Sequence, residues 1–81
     1  MAKPSVKYAG NPALVSLGKT IRSLRVERKI SQEALASTAN IDRSYIGGIE
    51  RGEHNITILN LTKIAVQLDL TISELFEKAG L

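Results

Sequence analysis

Residues 32–51 have the sequence QEALASTANIDRSYIGGIER, in which two short apolar patterns flank a turn signal. Ser31 precedes the first pattern and Asp42 precedes the second, and both residue types commonly cap helix N-termini. Asn40 lies between the patterns, and asparagine ranks after glycine in tolerating the left-handed conformation of a tight turn. The sequence therefore predicts two short helices joined by a turn at Asn40-Ile41. They span about residues 32–39 and 43–51.

The apolar residues of this stretch are spaced to hold the two helices at a fixed angle. Ala36 is small enough for crossing helices to touch, and Gly52 follows the second helix where glycine often ends one. These are the requirements of a helix-turn-helix unit, which we predict at residues 32–51. The inward-facing residues would be Leu35, Ala36, Ala39, Ile41, Ile46 and Ile49.

Three further helices are predicted around this unit, with no strand signal. Asn11-Pro12 is a helix start signal for a helix that runs to about Arg28. Thr57 caps a fourth helix, and the capping box Thr71-Ile72-Ser73-Glu74 opens a fifth at 72–79. The expected apolar stripes are Leu14, Leu17, Ile21 and Leu24 on the first helix and Ile58, Leu61, Ile64, Ala65 and Leu68 on the fourth. We predict an all-α, five-helix domain at residues 12–81 after a flexible N-terminal arm at 1–11.

Composition argues against several classes of protein. The chain has 81 residues, which suits one domain, and it has no cysteine and one histidine, so we expect no disulfide, metal site or cofactor. No apolar run approaches the roughly 20 residues that span a bilayer, and no signal-peptide core follows Met1. The sequence also lacks a GxxxxGK phosphate loop and a Cys–His pair, so we do not expect an enzyme. A cytoplasmic protein is expected.

Charge is distributed unevenly along the chain. The net charge is +3, but residues 1–29 carry seven lysines and arginines against the single acid Glu27. Such an excess suggests a polyanionic partner, although a solvated basic helix face would produce the same pattern. Arg25 lies near the edge of the apolar stripe of the first helix, where a charge needs a partner.

Residues 19–75 resemble the Cro/repressor-type (Xre-like) helix-turn-helix family, whose fold is lambda-repressor-like. The resemblance rests on Arg25, on the runs ISQEALA at 30–36 and IERG at 49–52, on Ile46, and on residues 68–75. Within the family, NIDRSYIGGIER at 40–51 and NITI at 55–58 are similar to the controller proteins of restriction–modification systems. The chain departs from the family at Lys29 and Asp69, where glycine is usual.

The resemblance implies a transcriptional regulator that binds a pseudo-palindromic operator in double-stranded DNA as a homodimer. It would be a bacterial or phage protein that regulates a restriction–modification operon at the nucleoid, and as an activator it would contact RNA polymerase. A phage-type repressor and the antitoxin of a toxin–antitoxin pair are alternatives with the same fold, and a protein-only adaptor is another. The resemblance also pairs Arg25 with Glu50 as a structural ion pair.

The second helix of the unit would place its N-terminal residues in the major groove. Arg43 suits the O6 and N7 acceptors of guanine, although it could instead contact a phosphate. Ser44 and Tyr45 are further candidates for base contacts, and Gly47 and Gly48 would allow close approach of the backbone unless they are merely tolerated. The backbone phosphates would be met at the N-terminus of the first helix of the unit and in the following loop. The candidates there are Ser31, Gln32, Arg51, His54 and Asn55, with His54 equally explained as a solvated loop residue.

A single recognition helix reads only a few base pairs, so we expect a twofold dimer with recognition helices about 34 Å apart. The fifth helix is the expected interface. Its apolar residues would either form that interface or complete the monomer core. They are Leu70, Ile72, Leu75, Phe76 and Leu81.

Overall fold

Five helices and no strands occur in residues 8–81, the part of the chain that the computed structural model describes. The all-α prediction is therefore confirmed. The helices are α1 (Pro12–Glu27), α2 (Gln32–Ala39), α3 (Arg43–Glu50), α4 (Ile58–Gln67) and α5 (Ile72–Ala79). Residues 1–7 of the predicted arm lie outside the described residues. Residues 8–10 form a turn, in which the Gly10 N–H donates to the Gly52 carbonyl at 3.1 Å.

Side-chain caps begin four of the five helices, at the positions that the sequence predicts. Each capping oxygen accepts a hydrogen bond from a backbone N–H of the first turn. At α5 both hydrogen bonds of the capping box are present. The bond that the Thr71 N–H donates to Glu74 holds the pKa of the Glu74 carboxyl below its usual value. The four caps are Asn11, Ser31, Thr57 and Thr71. Asp42 occupies the corresponding position of α3 without making such a bond.

The core lies where α1 packs on α3 and α5, and α2 packs on α3 and α4. Gly18 allows the closest of these approaches, since a Cβ there would collide with the backbone carbonyls of Ile49 and Glu50. The prediction that Ile58 belongs to the apolar stripe of α4 is wrong, because its side chain is 61% exposed. The largest fully buried side chains are Ile21, Leu35, Ile46, Leu61, Ile64, Leu68 and Leu75.

The structure corrects the prediction that Leu75 of α5 forms part of a dimer interface. Leu75 is fully buried among the core side chains, so it contributes no apolar surface to a dimer interface. Leu70, Ile72 and Phe76 are partly buried at the edge of the core, and Leu81 is exposed. The apolar face that α5 offers to a partner is therefore narrower than its sequence suggests.

Within residues 8–81, three residues other than glycine have a left-handed backbone. Asn40 (φ 57°) forms the turn of the helix-turn-helix as predicted, and Lys29 (φ 58°) and Asp69 (φ 59°) follow α1 and α4. For residues with a Cβ this conformation costs roughly 1–2 kcal/mol. Lys29 and Asp69 are thus the two positions at which glycine, the usual family residue, would fit the backbone better.

Replacing Asp69 with glycine is expected to raise the free energy of unfolding by about 0.5–1 kcal/mol, since the relief of strain exceeds the extra entropy of the unfolded chain. Urea unfolding followed by circular dichroism measures the change. Lys63→Gly on the exposed face of α4 is the matched control, and it should lower stability by about 0.5–1 kcal/mol. A lower free energy of unfolding in Asp69→Gly would contradict the backbone strain that we infer at Asp69.

Candidate nucleic-acid interface

Helix α3 has one face in the core and one face at the surface. Ile46 and Ile49 are buried against the other helices, whereas Arg43 at its first position is exposed. Ser44 and Tyr45 are partly exposed beside it. The N-terminal turn of α3 is thus accessible, as the helix-turn-helix prediction requires.

A buried ion pair fixes α3 against α1. The Arg25 Nε donates to Glu50 Oε2 at 2.6 Å and its Nη2 donates to Oε1 at 3.1 Å, which is the forked geometry that favours arginine. The side chains are only 11% and 2% exposed. A third bond from Arg25 Nη1 to the Ile30 carbonyl, at 2.8 Å, ties the pair to the segment before α2. The predicted partners therefore meet, and they lie in the scaffold beneath the interface.

Gln32 links this buried pair to the exposed Arg43. Its Nε2 donates to Glu50 Oε1 at 3.0 Å, and its Oε1 accepts a hydrogen bond from Arg43 Nη1 at 3.2 Å. We predicted Gln32 as a phosphate contact, which stays a prediction, and in this structure its amide holds the guanidinium that we predicted as a base contact. No sequence signal indicates this link, because it joins residues on two different helices.

Asp42 and Ser44 interact with each other at the start of α3. The Ser44 hydroxyl donates to the Asp42 carboxylate, and this bond is the main reason why the pKa of that carboxyl lies below its usual value. The carboxylate therefore stays charged one residue before Arg43. Ser44 lies at the surface beside the base-reading candidate, with its hydroxyl already engaged within the protein.

Tyr45 lies between the core and the surface. Its ring packs against the edge of the core and stacks on the His54 ring, with centroids 4.6 Å apart and planes tilted by 31°. Tyr45 also lines an open groove of about 410 Å³ together with Asn40, Ile41, Asp42 and Asn60. Tyr45, which we predicted as a base contact, therefore lies at the boundary between the core and the surface.

Gly47 and Gly48 are both buried, which corrects the prediction that they give the helix backbone close access to DNA. The space beside Gly48 is filled by the His54 ring, with which a Cβ would collide. The space beside Gly47 is bordered by the side chains of Arg51 and Gln32. The two glycines accommodate neighbouring side chains of this protein.

The loop after α3 holds the remaining phosphate candidates. Arg51 is half-exposed and donates two hydrogen bonds to Glu53, at 2.9 and 3.1 Å, and these raise its pKa. Asn55 is exposed, whereas His54 is 9% exposed and its Nε2 is buried. The interpretation of His54 as a solvated loop residue is therefore wrong, and its buried Nε2 is not placed to contact a phosphate. Ser31 remains exposed at the N-terminus of α2, where its hydroxyl oxygen accepts from the Ala34 N–H.

Residues 8–81 lack the features of a metal site and of a membrane span. These residues contain no group of three or more His, Asp or Glu side chains that could hold a metal ion. None of the helices in the same range is long and apolar enough to cross a membrane.

Comparison with known proteins gives consistent matches. Residues 21–80 match the family model HTH_3, described as helix-turn-helix. Control protein C.MunI of Mycoplasma sp. is 39% identical over 82% of this chain and 90% of its own length. Control protein C.SmaI of Serratia marcescens is 37% identical over 80% of this chain and 77% of its own length. The crystal structure of the restriction-modification controller protein C.AhdI from Aeromonas hydrophila superposes with a TM-score of 0.74, at 45% identity, over 76% of this chain and 94% of that one.

Proposed function

The chain belongs to the helix-turn-helix family, among the controller proteins of restriction–modification systems, and on that premise we propose that it regulates transcription by binding an operator in double-stranded DNA. Its target would be a restriction–modification operon. The family is one of DNA-binding regulators rather than of enzymes, and we propose no catalytic role. The site of action would be the cytoplasm, at the nucleoid.

One observation carries this proposal most directly. Arg43 is exposed at the first position of α3, and its guanidinium is held through Gln32 by a buried ion pair. A guanidinium that is oriented before binding loses less freedom when it forms the two parallel bonds that guanine accepts. Placing α3 in the major groove would bring Arg43 to the base edges, and Ser44 and Tyr45 beside it.

Phosphate contacts would set the position of the protein on the duplex. Ser31 and the N-terminus of α2 offer hydrogen-bond donors, and Arg51 and Asn55 lie in the loop after α3. Arg51 would have to exchange Glu53 for a phosphate. Such contacts supply affinity for any duplex, and Arg43 supplies the preference for one sequence.

The protein would act as a homodimer, because one α3 helix covers only part of a useful operator. The partly buried Leu70, Ile72 and Phe76, together with the exposed Leu81, form the surface that we propose for the interface. An activating role would add contact with RNA polymerase, which depends on where the operator lies relative to the promoter.

Titration of the protein into a duplex from the DNA upstream of its own gene tests the function. We expect two chains per duplex and an affinity at least about 1,000-fold higher than for a shuffled duplex of the same length. Binding to both duplexes should weaken as salt rises, because phosphate contacts release counterions. Equal affinity for the two duplexes at every salt concentration would contradict sequence-specific regulation.

A further inference from the structure

His54 is the buried polar side chain that the proposed DNA contacts leave unexplained. Its Nε2 has no hydrogen-bond partner among residues 8–81, although burial of a polar nitrogen without a partner is unfavourable. Some other contact of the ring must offset this cost.

Two contacts of the His54 ring involve α3. One face lies near Tyr45 in a tilted stack, and the edge that carries Nε2 and Cδ2 fills the space beside Gly48. A glycine in the middle of a helix also lowers stability relative to alanine. The unpartnered Nε2 and the glycine inside α3 are thus two unfavourable local features at one place. The packing that they allow fixes the His54 ring, against which Tyr45 rests.

The charged groups around this ring do not provide a partner for it. The Glu53 carboxylate lies near Gly48 as the ring does, and it is already bound by two hydrogen bonds from Arg51. The interactions of the ring that the structure does show are therefore packing and stacking.

We propose that His54 is a positioning residue of the DNA interface, whose ring holds Tyr45 in one orientation at the accessible end of α3. The inference rests on the proposed function, since Tyr45 matters to the operator only if α3 enters the groove. A side chain that is locked by packing before binding pays less of the ordering cost on the DNA. His54 would act through Tyr45, without touching the operator.

His54→Ala is expected to weaken operator binding about 2- to 10-fold per half-site, the range expected for the loss of one aromatic pair. His54→Phe keeps a ring and removes the unpartnered nitrogen, so it should bind within about twofold of the original protein. Binding to a shuffled duplex should stay unchanged in both variants. In a Tyr45→Ala background, His54→Ala should have no further effect, because the side chain that it positions is gone.

Tyrosine fluorescence tests the positioning without any DNA. The chain has two tyrosines and no tryptophan, so Tyr8→Phe makes Tyr45 the single fluorophore. In that background His54→Ala should increase both the quenching of Tyr45 by acrylamide and the mobility seen in its anisotropy, whereas His54→Phe should not. If His54→Ala fails to fold, Gly48→Ala provides the same test, since its methyl group displaces the ring from the other side.

The two readouts separate this inference from the function on which it rests. Absence of operator binding by the original protein would reject the function, while the fluorescence would still measure the stack. Unchanged quenching in both His54→Ala and Gly48→Ala would overturn the positioning role. An equal loss of operator affinity from His54→Ala with and without Tyr45 would also overturn it.

Discussion

Arg25→Ala is expected to lower the free energy of unfolding by about 3–5 kcal/mol, because it leaves a buried carboxylate without its cation. Glu50 is 2% exposed, and after the substitution only the Gln32 amide would remain hydrogen-bonded to it. A domain of this size is only marginally stable, so such a loss removes much of its total free energy of unfolding. Urea unfolding followed by circular dichroism measures the change.

Arg51→Ala provides the matched control, because it removes an arginine with the same forked geometry from an exposed pair. The Arg51–Glu53 pair is far more exposed than the Arg25–Glu50 pair, so its loss should cost only a small fraction of what Arg25→Ala costs. Arg25→Lys keeps the charge but loses the fork, and it should fall between the two. A cost of Arg25→Ala no greater than that of Arg51→Ala would show that the buried pair is not what holds α1 on α3.

Arg43→Ala is expected to cost about 1–3 kcal/mol of discrimination per half-site between the operator and a duplex in which the contacted guanine is replaced. In a dimer the two half-sites each lose this preference. The substitution should change the free energy of unfolding by no more than about 0.5 kcal/mol, since the side chain is exposed. Anisotropy titrations with the two duplexes measure the discrimination.

Arg43→Lys separates charge from geometry in this experiment. Lysine keeps the positive charge and so preserves attraction to the phosphates, but it cannot form the planar fork that matches O6 and N7 of guanine. Arg43→Lys should therefore retain most of the affinity for a shuffled duplex and lose much of the preference for the operator. If Arg43→Ala keeps its preference for the operator, residues other than Arg43 must recognise the bases.

The sequence predicts the helices well because their signals are local. The caps at Ser31, Thr57 and Thr71 act within one turn, and Asn40 determines its own turn. That Arg25 needs a partner was also predictable, because a charge at the edge of an apolar stripe must be neutralised. Glu50 as that partner came only from the resemblance to the family, and the structure contains the pair.

The contacts that shape the interface were not predictable in the same way. The link from Gln32 to Arg43 and the packing of His54 on Gly48 join residues whose separation in sequence carries no periodic signal. Helical periodicity also assigns Ile58 to the apolar stripe of α4 and makes Leu75 an apolar residue of α5, without telling which of the two positions the neighbouring helices cover. The fold covers Leu75 completely and leaves Ile58 in solvent.

Protection of guanine N7 from dimethyl sulfate tests most directly whether α3 lies in the major groove with Arg43 on a guanine. N7 faces that groove and is one of the two acceptors proposed for Arg43. We predict one protected guanine in each half-site, the two separated by about one turn of the DNA helix, with protection lost in Arg43→Ala under conditions where that variant is still bound. A bound operator whose guanines all stay reactive, or a protection pattern that Arg43→Ala does not change, would contradict this placement.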